Sequence, residues 1–331
     1  MNFATPGQSK SSADSVHRRT FLRAAGVTGA AVVLSSSVPR DILAQEQAAD
    51  DHPIGRHIYK SLKWNMVRTP GPTLAQFKML KELGYDGVEI DSPGGVDKEE
   101  AIAASRETGL PIEGVVNSTH WNVRHSDPDP AVRQQALENM KTAMRDAKRV
   151  GADSVLLVPG KVNDPLAENH DQVWERSITE IRKMLPLAEE LQMKILIENV
   201  GNGFCTDPRQ FARYIDEIDS PLVGVHFDIG NHIAHSPPAD WIRILGRRIR
   251  KLDVKDRNKT TREMTLIGEG DADWPAVRQA LEEVGYRGWV AAEVRGGDRE
   301  RLADVVRRMN NVLGKSDGMP GENLPGATRE A

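Results

Sequence analysis

From about residue 57, short apolar runs alternate regularly with longer amphipathic segments. Within 131–150, for example, the apolar residues recur at the spacing of one helix face. The apolar runs are HIYKSLKWNMV, YDGVEI, IEGVVNSTHW, ADSVLLVPG, KILIENV, VGVHFDIGN, IRKLDVKD and GWVAAEV. Eight strands alternating with eight helices over residues 57–312 predict an α/β fold, a single (β/α)8 TIM barrel. A doubly wound open sheet is the alternative, but no Gly-rich dinucleotide-binding motif follows the first strand.

The N-terminal segment has the pattern of an export signal. Arg18-Arg19 and Phe21-Leu22 precede an apolar run of small residues from Ala24 to Leu34, which is typical of a twin-arginine signal peptide. This run is too short to cross a bilayer, which needs about 20 residues, so no stable membrane anchor is expected. We predict a signal peptide over 1–44, a linker over 45–56, and a periplasmic or extracellular protein. A basic tail without a targeting role is the alternative, and the polar, Gly-rich segment 313–331 is predicted to be disordered.

Charge and cysteine content exclude several classes of function. The formal net charge is −4, and no long basic run is present, so a nucleic-acid partner is not expected. Cys205 is the single cysteine, which excludes an intramolecular disulfide and a multi-cysteine metal site. A homo-oligomer is compatible with the sequence.

Acidic residues stand where several predicted strands end. Glu198, Asp228, Asp253 and Glu293 follow or end apolar runs on successive strands, and the active sites of such barrels lie at this end of the strands. One such carboxylate alone is often a helix cap or an ion-pair partner, and Asp256 and Glu89 are the most typical of a structural role. Four together would repel one another without a cation. Their oxygen atoms favour one divalent cation, with Mn²⁺ first among Mn²⁺, Mg²⁺, Co²⁺ and Zn²⁺.

Five sequence motifs, taken in their order and spacing, resemble those of a known family. ILIENV, VGVHFDIGN, KLDVKD, GEGDADW and GWVAAEV together resemble the xylose-isomerase-like TIM barrels of the sugar phosphate isomerase/epimerase family, which includes ketose 3-epimerases, hydroxypyruvate isomerase and inosose dehydratase. The resemblance implies Glu198, Asp228 and Glu293 as metal ligands. The fourth ligand in the family is usually a histidine in His-x-Lys-Asp, where this chain has Asp253, and an aspartate can replace it on a hard cation.

A second departure concerns the loop after the sixth strand. A histidine is common in the family three residues after the strand-six aspartate, but here Asn231 stands there and His232 follows. Recognition of the substrate near this strand is therefore not expected to be that of a ketose 3-epimerase. His226 is expected deeper in the strand, on the same side as Asp228.

The resemblance implies an enzyme that abstracts a proton next to a sugar carbonyl through an enediolate, with Glu198 and Glu293 as the acid–base pair. The prediction is a metal-dependent isomerase or epimerase acting on a small-molecule sugar or keto-sugar. Alternatives are a lyase or dehydratase acting on a 3-keto-glycoside or inosose, and a non-catalytic periplasmic sugar-binding barrel. An endonuclease on the same barrel is disfavoured by the acidic net charge. The candidate substrate-binding residues are Glu89, His120, His232, Lys255, Trp64 and Arg295.

Three of these candidates have a structural alternative. Trp64 could pack against the end of the barrel, and His232 could pack within its loop. Lys255 could form a salt bridge with Asp253 or Asp256.

Overall fold

The computed structural model describes residues 53–162 and 164–318. The predicted signal peptide, residues 45–52 of the predicted linker and residues 319–331 of the predicted tail lie outside the described residues. The described chain begins with a 3-10 turn, Pro53–His57, in which Ile54 and Gly55 are buried. Across the described ranges, no helix combines the length and the apolar character needed to cross a membrane.

Eight parallel strands form the barrel, as the alternation of the sequence predicts. They are β1 Ile58–Leu62, β2 Val88–Ser92, β3 Ile112–Asn117, β4 Ser154–Leu157, β5 Lys194–Glu198, β6 Val223–Asp228, β7 Ile249–Val254 and β8 Gly288–Ala292. Each strand pairs with its neighbour in sequence from β2 to β8, and β8 also pairs with β1. A parallel bridge between Lys63 and Glu89 joins β1 to β2, which closes the barrel.

The helices that connect these strands form the outer layer. Those within the described residues are α1 Thr73–Leu83, α2 Lys98–Thr108, α3 Pro130–Val150, α4 His170–Leu191, α5 Pro208–Ile218, α6 Pro238–Leu245, α7 Trp274–Glu283 and α8 Arg299–Leu313. Their boundaries follow from capping: Asp207 accepts backbone hydrogen bonds at the start of α5, and Asp273 does so at the start of α7. Gly84 ends α1 in the left-handed conformation, which glycine adopts without strain.

The interior of the barrel is divided into an apolar part and a charged part. Leu156, Val158 and Val200 form a small apolar cluster with Val116 packed against it. Elsewhere, charged side chains cross from β7 to β2 and β3, strands that are not neighbours, so these contacts pass through the interior. TIM barrels more commonly fill this space with branched apolar side chains.

Candidate metal and substrate site

Four acidic side chains meet at the carboxyl ends of adjacent strands. Glu198 ends β5, Asp228 ends β6, Asp253 lies in β7 and Glu293 follows β8. Each offers one oxygen, and these oxygens lie within 4.8 Å of one another. We call these residues the carboxylate cluster. Glu198, Asp228 and Asp253 are buried, whereas the side chain of Glu293 is 35% exposed.

Neighbouring amides hold two members of the carboxylate cluster in place. Asn231 Nδ2 donates a hydrogen bond to Glu198 Oε1 at 3.1 Å, so the residue that stands at the family's histidine position contacts a predicted ligand. The backbone N–H of Gly230 donates to Asp228 Oδ1 at 2.7 Å. Asn199 Nδ2 donates to the carbonyl oxygen of Asp228 at 3.0 Å, which ties the end of β5 to the end of β6.

Two lysines contact the carboxylate cluster from different sides. Lys255 Nζ lies 2.7 Å from Asp228 Oδ2 and also contacts Glu293 Oε2. It therefore pairs with these residues and not with Asp253 or Asp256. Lys63 Nζ lies 2.9 Å from Asp253 Oδ2. Lys63 was not predicted from the sequence, because it lies inside the first apolar run as read from the sequence, whereas the structure ends β1 at Leu62.

Asp253 also belongs to a buried network of charged side chains that lies below the carboxylate cluster. His226 Nε2 lies 3.0 Å from Asp253 Oδ1, which agrees with the deeper position expected for this histidine. Lys63 Nζ also contacts Glu89 Oε2 at 2.9 Å, and Lys251 Nζ contacts Glu89 Oε1 at 2.6 Å. The network ends at Glu113, whose Oε2 lies 2.5 Å from Lys251 Nζ.

Glu89 lies in this network because β2 is longer than the apolar run YDGVEI indicates. The strand extends to Ser92, so Glu89 is near its start and Asp91, two residues later on the same side, reaches the cavity described below. Glu89 is absent from the described lining of that cavity.

The surroundings raise the pKa of two of these carboxyl groups and lower the pKa of two others. Burial raises the pKa of Glu198 well above its usual range, and Glu293 adds to the effect. Burial likewise raises the pKa of Asp228 to about 8, although Lys255 opposes it. For Asp253, burial is outweighed by His226 and Lys63, which hold the pKa well below its usual range. For Glu89, burial is outweighed by Lys251 and Lys63, which hold the pKa at about 2.

The carboxylate cluster fits a divalent cation. Asp228 Oδ2 and both side-chain oxygens of Asp253 are buried and receive no well-aligned hydrogen bond from the described residues. Each of these oxygens contacts one basic side chain at 2.7 to 3.0 Å. A carboxylate oxygen can accept more than one partner, so each of them can also bind a cation. An all-oxygen donor set suits hard cations such as Mg²⁺ and Mn²⁺. Glu198, Asp228 and Glu293 are the proposed ligands, and Asp253 stays the predicted fourth.

An open cavity of about 370 Å³ lies above the carboxylate cluster. Its lining includes two members of the carboxylate cluster, Glu198 and Glu293, and the predicted substrate-binding residue His120. His120 Nδ1 accepts a hydrogen bond from the N–H of Val158 at 3.3 Å, so the ring proton is assigned to Nε2. Burial lowers the pKa of His120 to about 3, which keeps the ring neutral. The lining also contains Lys63, Asn65, Asp91, Asn117, Ser118 and Trp121.

Several predicted substrate-binding residues have other contacts. His232 is buried, and its ring stacks on Trp241 with centroids 4.4 Å apart. Trp64 packs against Phe77 with ring centroids 5.2 Å apart. Arg295 is exposed, and its carbonyl oxygen accepts a hydrogen bond from Arg301. None of the three predicted residues belongs to the described lining of the cavity.

Comparison with known proteins agrees with this architecture. The family model described as xylose isomerase-like TIM barrel matches residues 77–312. The chain is 24% identical over 230 residues to the putative L-ribulose-5-phosphate 3-epimerase SgbU of Escherichia coli K12, covering 63% of this chain and 79% of that protein.

Two solved structures share the fold at low sequence identity. The 3-keto-D-glucoside 4-epimerase from E. coli is 19% identical with a TM-score of 0.64, covering 77% of this chain and 98% of that one. The IolI protein, solved with a bound zinc atom, is 15% identical with a TM-score of 0.67, again covering 77% of this chain and 98% of that one.

Proposed function

Because the chain belongs to the xylose isomerase-like TIM barrel family, we propose that it is a divalent-metal-dependent sugar isomerase or epimerase. It removes a proton next to the carbonyl of a sugar or keto-sugar and returns it to the other face or to the neighbouring carbon. The observation that carries this proposal is that Glu198 and Glu293 belong to the carboxylate cluster and also line the cavity. A group that only holds a metal need not face the space where a substrate binds.

Glu198 and Glu293 are the proposed acid–base pair. They come from β5 and β8, which are separated by β6 and β7 in the barrel, so they approach the cavity from different sides. Glu293 removes the proton next to the carbonyl, and Glu198 then delivers a proton to the opposite face of that carbon or to the neighbouring carbon. Proton exchange with solvent restores the two carboxyl groups.

Other lining residues bind and orient the sugar. His120 presents its Nε2 proton as a hydrogen-bond donor, and Asn65 and Asn117 offer amide groups for hydroxyls. The indole of Trp121, 46% exposed at the cavity, offers an apolar surface for a sugar ring. When bound to the carboxylate cluster, a divalent cation polarises the carbonyl and stabilises the negative charge that develops beside it.

Solvent exchange tests this proposal directly. The purified chain with Mn²⁺ is incubated in D₂O with ketoses, aldoses, inososes and 3-keto-glycosides, and deuterium on carbon is measured by NMR. We expect exchange at one position next to the carbonyl, and a loss of at least about 100-fold in Glu198→Gln and Glu293→Gln, because each removes a proton-transfer group that is also a proposed metal ligand. Glu107→Gln, at an exposed site paired with Lys78, is the matched control and should exchange like the wild type.

Other results would assign a different function. Exchange followed by loss of water or of the aglycone would make the protein a lyase. Saturable sugar binding without exchange, with Mn²⁺ bound, would make it a sugar-binding barrel.

A further inference from the structure

Lys255 lies inside the carboxylate cluster. It follows β7 directly and is 6% exposed. Its ammonium group lies 2.7 Å from Asp228 Oδ2 and contacts Glu293 Oε2, so it bridges carboxylates from the two strands that flank β7. The side chain therefore stands among the oxygens that we assign to the divalent cation.

A glycine makes room for this lysine. A Cβ atom at Gly230 would lie 2.5 Å from Lys255 Cγ and 2.8 Å from its carbonyl oxygen, which is closer than real Cβ atoms approach. The N–H of the same glycine binds Asp228 Oδ1. One backbone segment thus fixes one oxygen of Asp228 and leaves space for the lysine that pairs with the other.

The charges of the carboxylate cluster require a partner in the absence of metal. Several buried carboxylates at this distance are unstable together unless a cation offsets their repulsion. Lys63 pairs with Asp253, and Lys255 pairs with Asp228 and Glu293. Lysine is an ammonium group at neutral pH in its usual range, and the side chain of Lys255 contacts carboxylates from two strands.

We propose that Lys255 is a resident cation of the carboxylate cluster, which stabilises the metal-free protein and leaves Asp228 and Glu293 when a divalent cation binds. The inference rests on the proposed metal dependence of the site. An ammonium group and a divalent cation on the same oxygen repel each other, so displacement of Lys255 weakens metal binding. Lys255 therefore keeps the carboxylates together in the metal-free protein, and it allows the bound metal to dissociate and exchange.

Metal affinity measured without any substrate tests this role. The full chain, stripped with EDTA, is titrated with Mn²⁺, and free Mn²⁺ is followed by electron paramagnetic resonance. Because repulsion is removed, Lys255→Met should bind Mn²⁺ at least about tenfold more tightly than the wild type. Lys78→Met, at an exposed ion pair with Glu107, is the matched control and should bind like the wild type.

Thermal melts give a second readout. Metal-free Lys255→Met should melt below the metal-free wild type, because the carboxylates have lost a partner, and Mn²⁺ should raise its Tm by more than it raises the wild-type Tm. Lys255→Arg keeps the charge and should bind Mn²⁺ with an affinity near that of the wild type. If Lys255→Met does not fold, Lys255→Gln, which removes the charge and keeps a polar side chain, should bind Mn²⁺ more tightly than the wild type in its place.

The outcomes separate the two proposals. If the wild type binds Mn²⁺ and Lys255→Met binds it equally or more weakly, the resident-cation role is wrong and the proposed function stands. Tighter binding in Lys255→Arg would also overturn the role, because the charge would then not be the cause. If the wild type binds no Mn²⁺, both proposals fail.

Discussion

Asp253 is the member of the carboxylate cluster with two different sets of neighbours. Its oxygens lie within reach of Glu198, Asp228 and Glu293, and also contact Lys63 and His226. The first set favours a metal ligand, and the second favours an anion that balances buried cations. Both oxygens of Asp253 already contact a basic group, at 2.9 and 3.0 Å, so the effect of a substitution on metal content is needed to separate the two roles.

Metal content distinguishes these two roles. Asp253→Asn and Glu198→Gln keep the side-chain shape but replace an anionic oxygen ligand with an amide, so we expect both to lose the bound ion. Elemental mass spectrometry of the purified proteins measures this, against about one divalent ion per chain expected in the wild type. Glu107→Gln, remote from the carboxylate cluster, should retain the ion. Loss in Glu198→Gln alone would remove Asp253 from the ligand set.

The sequence predicted this site unevenly, for reasons that belong to single residues. Glu198 and Asp228 were recognisable because a charged residue ends an apolar run, and burial there is costly without a partner. The part played by Lys63 depends on contacts with β2 and β7, which are distant in sequence. His232 illustrates the opposite case, because its stacking on Trp241 depends on how a loop lies against α6.

At the scale of elements, Asp256 organises the connection between β7 and α7. Its carboxylate accepts hydrogen bonds from the backbone N–H groups of Gly268, Gly270 and Ala272 and from the indole N–H of Trp274. These contacts agree with the structural role that the sequence suggested for this residue. The loop before α7 is thus fastened to the end of a barrel strand by one side chain.

Replacing this carboxylate should loosen the loop. In Asp256→Asn an amide NH₂ group faces some of these donors, so we expect a loss of about 2–3 kcal/mol in the free energy of unfolding, the scale of hydrogen bonds to a charged group. Urea denaturation measures the loss, and amide exchange should accelerate within residues 266–274. Asp240→Asn, at an exposed position on α6, should stay within about 0.5 kcal/mol of the wild type. Equal stability of the two variants would contradict this role.

At the scale of the whole molecule, the eight strands and their order were predictable, because alternation of apolar runs and amphipathic segments leaves few other architectures. The charged part of the barrel interior was not. Lys251 and Glu113 pair across the barrel from strands that are far apart in sequence, and each alone resembles a surface residue.

Buried histidines should make the whole fold sensitive to acid. Burial lowers the pKa of His125 to about 4 and, with His235 and Lys255 adding to the effect, lowers that of His232 to about 4. Their usual value is about 6.5, so the unfolded chain takes up protons first as the pH falls. The stability they contribute is therefore complete above about pH 6.5 and is lost as the pH falls towards 4.

Urea midpoints between pH 7 and pH 4 check this expectation. For His125 alone, the lowered pKa corresponds to a loss on the order of 3 kcal/mol in the free energy of unfolding between pH 7 and pH 4. His125→Gln should flatten the pH dependence, whereas His235→Gln, which acts only through its effect on the pKa of His232, should flatten it less. If His125→Gln loses as much stability at low pH as the wild type, other groups cause the acid sensitivity.

The charged interior also depends on a residue that carries no charge. A Cβ atom at Gly114 on β3 would lie 2.4 Å from Lys251 Nζ and 3.0 Å from Glu89 Oε1. A single methyl group there would have to displace an ammonium group that is held by two carboxylates. A neutral substitution at Gly114 would therefore act on the charges of the barrel, by moving Lys251 away from the carboxylates that hold it.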